Sequence, residues 1–268
     1  MKIAIIGCGN MGLVYARAFL KYNIASKHDL LLVEKNLARQ AELQKLDLGR
    51  VTTIGDDGIS GSDLVILAVK PQDFGELAPG LRAGLNQNNI VISIMAGMKI
   101  SRITEALGTG KVIRAMPNSP AELGMGMTAY AADASLGMEQ IRKAENLLST
   151  TGRTVFFEKE DLLDAVTALS GSGPAYFFYL VKNMIEAGRE MGFDEPTSAM
   201  LVKQTMLGSF HLLNTAGKPL DELIRAVASR GGTTEAAFGV FNEKQVGENL
   251  RKGIVRACER AKELSQSL

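Results

Sequence analysis

The chain opens on Lys2-Ile3-Ala4-Ile5-Ile6 and runs directly into Gly7-Cys8-Gly9-Asn10-Met11-Gly12. The apolar, mostly β-branched residues read as a buried strand, and the glycines after them match G-x-G-x-x-G. Gly7 lets the chain turn sharply out of the strand, Gly9 lets backbone approach a pyrophosphate, and Gly12 lets the following helix lie close to the sheet. That helix starts near Asn10, and Val14, Ala18 and Leu20 give it an apolar face. Its free N–H groups and dipole favour an anion without any lysine or arginine. Gly7, Gly9, Asn10, Met11 and Gly12 are therefore candidate dinucleotide contacts, a purely structural strand turn being the plainer alternative.

Further strands follow in the same pattern. Leu30-Leu31-Leu32-Val33 reads as a second buried strand ending at Glu34, 22 positions beyond Gly12. An acid there accepts hydrogen bonds from an adenosine ribose and repels a 2′-phosphate, which favours NADH. Lys35 and Arg39 follow at once as phosphate-neutralising candidates, and Glu34 also reads as a solvated charge, so NADH and NADPH both stay open. Residues 51–54 form a short strand, and residues 63–69 form another that Pro71 stops, leaving Lys70 at its carboxyl end. Residues 90–95 end at Ala96-Gly97, and residues 111–116 end at Pro117-Asn118-Ser119-Pro120. Strands alternating with helices imply a parallel sheet covered on both faces. Its carboxyl edge would carry Gly7, Lys70, Gly97 and Asn118 in one row, the edge at which such sheets bind ligands. The Asn118 amide has the donor and acceptor to meet a nicotinamide carboxamide. Residues 127–131 and 154–157, flanking a helix over 138–150, would finish the sheet.

The character changes at Glu160, where strands cease and the apolar period becomes helical. The expected organisation is thus an α/β dinucleotide-binding domain over residues 1–159 and an all-helical domain over residues 160–268. Helices are expected over 161–191 (interrupted at Gly171-Ser172-Gly173-Pro174), 195–216, 220–227, 233–241 and 244–265. Helices of that total length make only a small core, so their apolar faces are expected to pack on a second copy. Thirty basic residues against 29 acidic ones give no reason for a nucleic-acid or anionic-membrane partner. No apolar run has the length to span a bilayer, and the chain is expected to be soluble and cytoplasmic. Cys8, Cys258, His28 and His211 have no metal-ligand spacing, so no metal is expected.

Two stretches of the helical half carry chemistry. In Ser170-Gly171-Ser172-Gly173-Pro174-Ala175-Tyr176, two glycines and a proline mark a helix that is broken or closely approached. Ser229-Arg230-Gly231-Gly232-Thr233-Thr234-Glu235 sets flexible backbone before a helix start, a site for a carboxylate or an ordinary turn capped by threonine.

With Ala68-Val69-Lys70-Pro71, Ser93-Ile94-Met95-Ala96-Gly97 and Arg114-Ala115-Met116-Pro117-Asn118-Ser119-Pro120, these stretches resemble, in order, the signatures of pyrroline-5-carboxylate reductase. The resemblance implies a Rossmann-like domain, an all-helical dimerisation and substrate-binding domain, a homodimer and larger rings such as a decamer. It also implies NAD(P)H-dependent reduction of the C=N bond of 1-pyrroline-5-carboxylate to L-proline, the last step of proline synthesis. By position, it gives cofactor contacts to Gly7–Gly12, Ala68, Lys70, Pro71, Ala96 and Asn118. It gives the substrate carboxylate to Ser229 and the backbone amides of Gly231, Gly232 and Thr233, and the ring nitrogen to the Thr234 hydroxyl. Arg230 stands where the family usually has proline, and Glu34-Lys35-Asn36 departs from the small polar residue and arginine of members preferring NADPH. Rival readings are a β-hydroxyacid dehydrogenase-like protein using Lys182 or Lys203, and a nucleotide sensor without turnover.

Overall fold

Residues Ile3–Ile6 form β1, and each is at most 1% exposed. The computed structural model describes residues 1–56 and 58–267, Asp57 and Leu268 lying outside them. After β1 come β2 (Leu30–Val33), β3 (Arg50–Thr52), β4 (Leu64–Leu67), β5 (Ile90–Ser93), β6 (Val112–Met116), β7 (Gly126–Ala132) and β8 (Gly152–Phe156). They make one sheet in the order β3-β2-β1-β4-β5-β6-β7-β8. Between them lie α1 (Asn10–Lys21), α2 (Leu37–Leu46), α3 (Pro71–Gly84), α4 (Ile100–Leu107) and α5 (Met138–Leu148). Alternate residues of β1 feed two cores. Ile3 and Ile5 pack in the cluster holding Tyr15 and Phe19 of α1 and Leu147 of α5. Ala4 and Ile6 belong to the cluster holding Phe74 of α3 and Ile103 of α4. Each fully buried large aliphatic side chain is worth about 1.5–3 kcal/mol, so the four apolar residues of β1 anchor the sheet from both sides.

The sheet is parallel from β3 to β6, with Ile5 opposite both Leu32 and Ile66. It is not parallel throughout, as the alternation of strands and helices implied. β7 runs antiparallel to β6, Ala115 facing Tyr130, and β8 runs parallel to β7. The reason is the connection: only a short 3-10 turn, Ser119–Leu123, separates β6 from β7. A parallel return needs a dozen residues or more, usually a helix, as α5 provides between β7 and β8.

The helical half begins with α6 (Leu162–Val166), which passes through a π-helical turn, Thr167–Gly171, into α7 (Gly173–Glu190). The interruption expected at Gly171–Pro174 is thus a bulge rather than a break: the Ser172 N–H donates to the Thr167 carbonyl five residues back at 2.9 Å. Pro174 sits in the first turn of α7, where an N–H would have no helical acceptor. Then follow α8 (Glu195–Thr215), α9 (Leu220–Val227), α10 (Thr233–Glu243) and α11 (Val246–Ser267). Gly188 of α7 lets α8 come close, since a Cβ there would stand 2.6 Å from Ser198 Oγ. No helix among the described residues is long and apolar enough to cross a membrane.

The chain divides into two compact units, Met1–Gly173 with the residues from 257 on, and Pro174–Arg256. The composition changes at residue 160, but α6 stays with the sheet because a buried arginine holds it. Arg114 of β6, 2% exposed, bonds Asp164 Oδ1 through Nη2 at 2.6 Å and Glu160 Oε1 through Nη1 at 3.2 Å. Glu160 Oε1 also accepts the Ile100 N–H at the start of α4 at 2.8 Å, a carboxylate placed at the positive end of a helix. From the far end of the chain, Ser265 Oγ of α11 donates to Asp164 Oδ1 at 3.1 Å.

Candidate active site

Sheet order places β1 between β2 and β4, where successive connections leave in opposite directions and a crevice opens at the carboxyl ends. The glycine loop forms the floor of that crevice. Gly7 has φ +92°, and a Cβ there would lie 2.6 Å from Val69 Cγ1. A Cβ on Gly12 would lie 2.3 Å from the Gly7 carbonyl oxygen, so α1 can begin against the loop only through glycine. At Gly9 no atom stands within 4 Å of such a position. Gly9 caps α1 without a side-chain acceptor, and the first helical bond runs from Leu13 N–H to Gly9 O at 3.0 Å. The N–H groups of Asn10, Met11 and Gly12 thus have no carbonyl one turn earlier. An open, all-backbone cradle at a helix N-terminus fits a pyrophosphate.

Next to this cradle is a cleft of about 220 Å3 lined by Gly7, Gly9, Glu34, Ala68 and Lys70, with Val33, Val69 and Asp73. The structure therefore brings these five candidate residues together. Pro71 is the first residue of α3, Lys70 being its N-cap, and Ala96 turns the chain after β5. Cys8, inside the glycine motif, is wholly buried. Burial, then the charge of Glu34, pushes its thiol up to about 12 against the opposing pull of Arg39, so it is a packing residue and no nucleophile.

Asn118 follows β6, and both polar atoms of its side-chain amide bond protein groups. Oδ1 accepts the Met127 N–H at 2.9 Å, and Nδ2 donates to Ser170 Oγ at 3.2 Å and to the Ser170 carbonyl at 3.3 Å. It ties the β6 loop to β7 and to the π-turn, a helical irregularity of the kind often found at functional sites.

The second group of candidates lies in the other unit. Gly232 N–H donates to Ser229 O at 3.0 Å with Gly231 at φ +74°, the signature of a type II turn. Arg230 fills the position where proline's fixed φ is favoured, which explains why the chain tolerates the exchange. Gly231 N–H donates to Glu235 Oε2 at 2.6 Å. Of the three amides expected to receive a carboxylate, those of Gly231 and Gly232 are thus already bonded within the turn. The amides of Thr233, the third of them, and of Thr234 precede the first helical bond, which starts only at Ala236, and Gly232 caps α10 without a side-chain acceptor. Thr234 is half-buried on the wall of an apolar groove of about 680 Å3, with Phe177, Phe210, Leu223 and Phe238.

Sequence reasoning passed over Ser170 as a side chain, Glu235, and the Arg114 cluster. The last did leave a signal: a charge inside the buried run Val112–Met116 needs a partner.

A family model described as pyrroline-5-carboxylate reductase dimerisation matches residues 160–264, and one described as NADP oxidoreductase, coenzyme F420-dependent, matches residues 2–97. A pyrroline-5-carboxylate reductase from Synechocystis sp. is 35% identical over 100% of this chain and 98% of that protein. The chain belongs to the pyrroline-5-carboxylate reductase family. Among solved structures, a pyrroline-5-carboxylate reductase from Coxiella burnetii superposes with a TM-score of 0.85 at 29% identity, covering 98% of each chain. A pyrroline carboxylate reductase from Plasmodium falciparum with NADP bound shares the fold, with a TM-score of 0.89 at 24% identity over 99% of this chain and 98% of that one. The dimerisation model begins at residue 160, whose side chain belongs to the Arg114 cluster that fastens α6 to the sheet.

Proposed function

We propose that this chain reduces 1-pyrroline-5-carboxylate to L-proline with NAD(P)H, the last step of proline biosynthesis. The observation that carries the reading is the pair of backbone anion sites in one chain: the glycine cradle before α1 and the free amides at the start of α10. The first suits a dinucleotide pyrophosphate, the second a carboxylate.

When bound, the reduced nicotinamide supplies hydride to the imine carbon. The protein's part is mainly orientation, because a protonated imine is already an electrophile and needs no strong acid. Gly7, Gly9, Asn10, Met11 and Gly12 hold the diphosphate, Glu34 faces the adenosine ribose, and Ala68, Lys70, Pro71 and Ala96 line the remainder of the cofactor's path. Asn118 acts through its bonds to Ser170 and Met127, holding the end of β6 in place. Thr233 and Thr234 N–H groups receive the substrate carboxylate, with Ser229 beside them and Gly231 and Gly232 shaping the turn. The Thr234 hydroxyl holds the ring nitrogen, and the apolar wall beside it strengthens that bond by excluding water. Holding reactants in such a geometry can be worth roughly 7–11 kcal/mol. The helices from residue 160 on form a homodimer, which assembles into larger rings in the cytoplasm.

The test is to mix purified protein with 1-pyrroline-5-carboxylate and either NADH or NADPH, following cofactor absorbance and proline. Proline formed with matching cofactor oxidation is the expected result. Cofactor binding without oxidation would favour the sensor reading instead.

A further inference from the structure

We infer that the adenosine end of the cofactor cleft is built for NADH and rejects the 2′-phosphate of NADPH, with Glu34 as the discriminating residue. The inference rests on the cofactor reading of that cleft and not on the imine. Glu34 ends β2, half-buried, and is held from three sides. Its N–H donates to Thr52 O at 3.0 Å, its carbonyl accepts from Gln40 Nε2 at 2.6 Å, and its side-chain Oε1 accepts the Asn36 N–H at 3.1 Å. One carboxylate oxygen is fixed by that last bond, leaving acceptor capacity at the cleft that Glu34 lines with Gly7 and Gly9.

Both cations able to welcome a phosphate are already paired with acids. Arg39 bonds Glu42 Oε2 through Nη1 at 2.5 Å and points Nη2 at the Cys8 carbonyl at 3.4 Å. Lys35 lies 3.2 Å from Glu76 and 3.7 Å from Asp73 on α3. The charged lining of the cleft is balanced, Glu34 and Asp73 against Lys35 and Lys70, but Lys35 and Arg39 are already held by acids, so an incoming 2′-phosphate meets the Glu34 carboxylate without a free cation beside it. Lys70 is the remaining cation lining the cleft. It caps α3 three residues after β4, the strand on the opposite side of β1 from β2. The exposed Arg39–Glu42 pair is weak and can be disrupted, but freeing Arg39 exposes Glu42 in the same place. A ribose diol, by contrast, offers two donors to a carboxylate that lacks them.

The experiment measures dissociation constants by titration calorimetry on the full chain, using ADP-ribose and its 2′-phosphate, which cannot react, alongside NADH and NADPH. The wild type is expected to bind the ligands without the 2′-phosphate about tenfold or more tightly. Glu34→Gln keeps the shape and removes the charge, and Glu34→Ser opens the space. Both are expected to bring the ratio toward unity, chiefly by improving the phosphorylated ligands. Equal or tighter binding of the 2′-phosphorylated ligands by the wild type overturns the inference, as does a ratio that neither substitution moves. Selective binding without proline formation would sink the proposed reaction and leave this inference standing. Proline formed with NADPH, together with tighter binding of the 2′-phosphorylated ligands, would do the reverse.

Discussion

The two units solve the same problem, a limited supply of apolar surface, in opposite ways. In the first, alternate residues of β1 enter two separate cores, and helices cover both faces of the sheet. In the second, only Gly188, Ser198 and Val202 are buried across residues 174–256. Phe178 there is 69% exposed and Phe210 54%. A sheet brings distant strands together and closes around itself, whereas helices of this length, each with its own apolar face, leave surface of a kind that monomers rarely expose. The first unit holds its cofactor residues on a scaffold that is complete in itself. The second carries the proposed carboxylate site on helices whose apolar faces are left uncovered within one chain.

The largest expected effect breaks the second scaffold alone. Phe210→Asp puts a charge on the floor of the apolar groove and should weaken the dimer about 30-fold to 1,000-fold, as loss of a 2–4 kcal/mol hot spot does. Sedimentation velocity would show it, with ADP-ribose binding retained; an unchanged dimer would mean the groove lies outside the interface. Next is a cut within the first unit. Arg114→Met leaves Asp164 and Glu160 without their cation and should cost about 3–5 kcal/mol in denaturant unfolding. A loss under 1 kcal/mol would show that the cluster is dispensable.

A smaller effect separates chemistry from architecture. Thr234→Ala should lower turnover about 10-fold to 100-fold with dimerisation and cofactor affinity unchanged, the low end of proton-transfer contributions. Unaltered kinetics would remove its hydroxyl from the reaction. The smallest change is a gain: Arg230→Pro fits the second position of the type II turn and should stabilise the protein by about 0.4–1 kcal/mol through the unfolded chain. Destabilisation would mean that Arg230 makes contacts in the assembled protein.

Most strands and helices were legible in the sequence because their periods are local. Helices α8 to α11 begin and end within two residues of where the apolar pattern puts them. The direction of β7 was not, since a buried strand reads alike in either direction and only the short link from β6 distinguishes them. Of the row expected at the strand ends, Gly7 and Lys70 line the cleft, whereas Gly97 and Asn118 lie outside its lining. What stayed hidden depends on who holds each group. Nothing in the triplet Gly231-Gly232-Thr233 says that two of its amides are already taken, one of them by Glu235, four residues on. Likewise the odd charge of Arg114 is visible, but its partners stand 46 and 50 positions away.

The bond from Ser265 to Asp164 closes a loop of 101 residues. Beside it, a Cβ at Gly97 would lie 3.3 Å from Leu264 Cβ, so the end of α11 also backs the turn that carries Ala96. On the ribosome, the sheet can assemble long before residues 257–267 emerge, yet the support behind the β5 turn arrives last. A nascent chain stalled before α11 would therefore hold a sheet whose β5 turn is still without that backing.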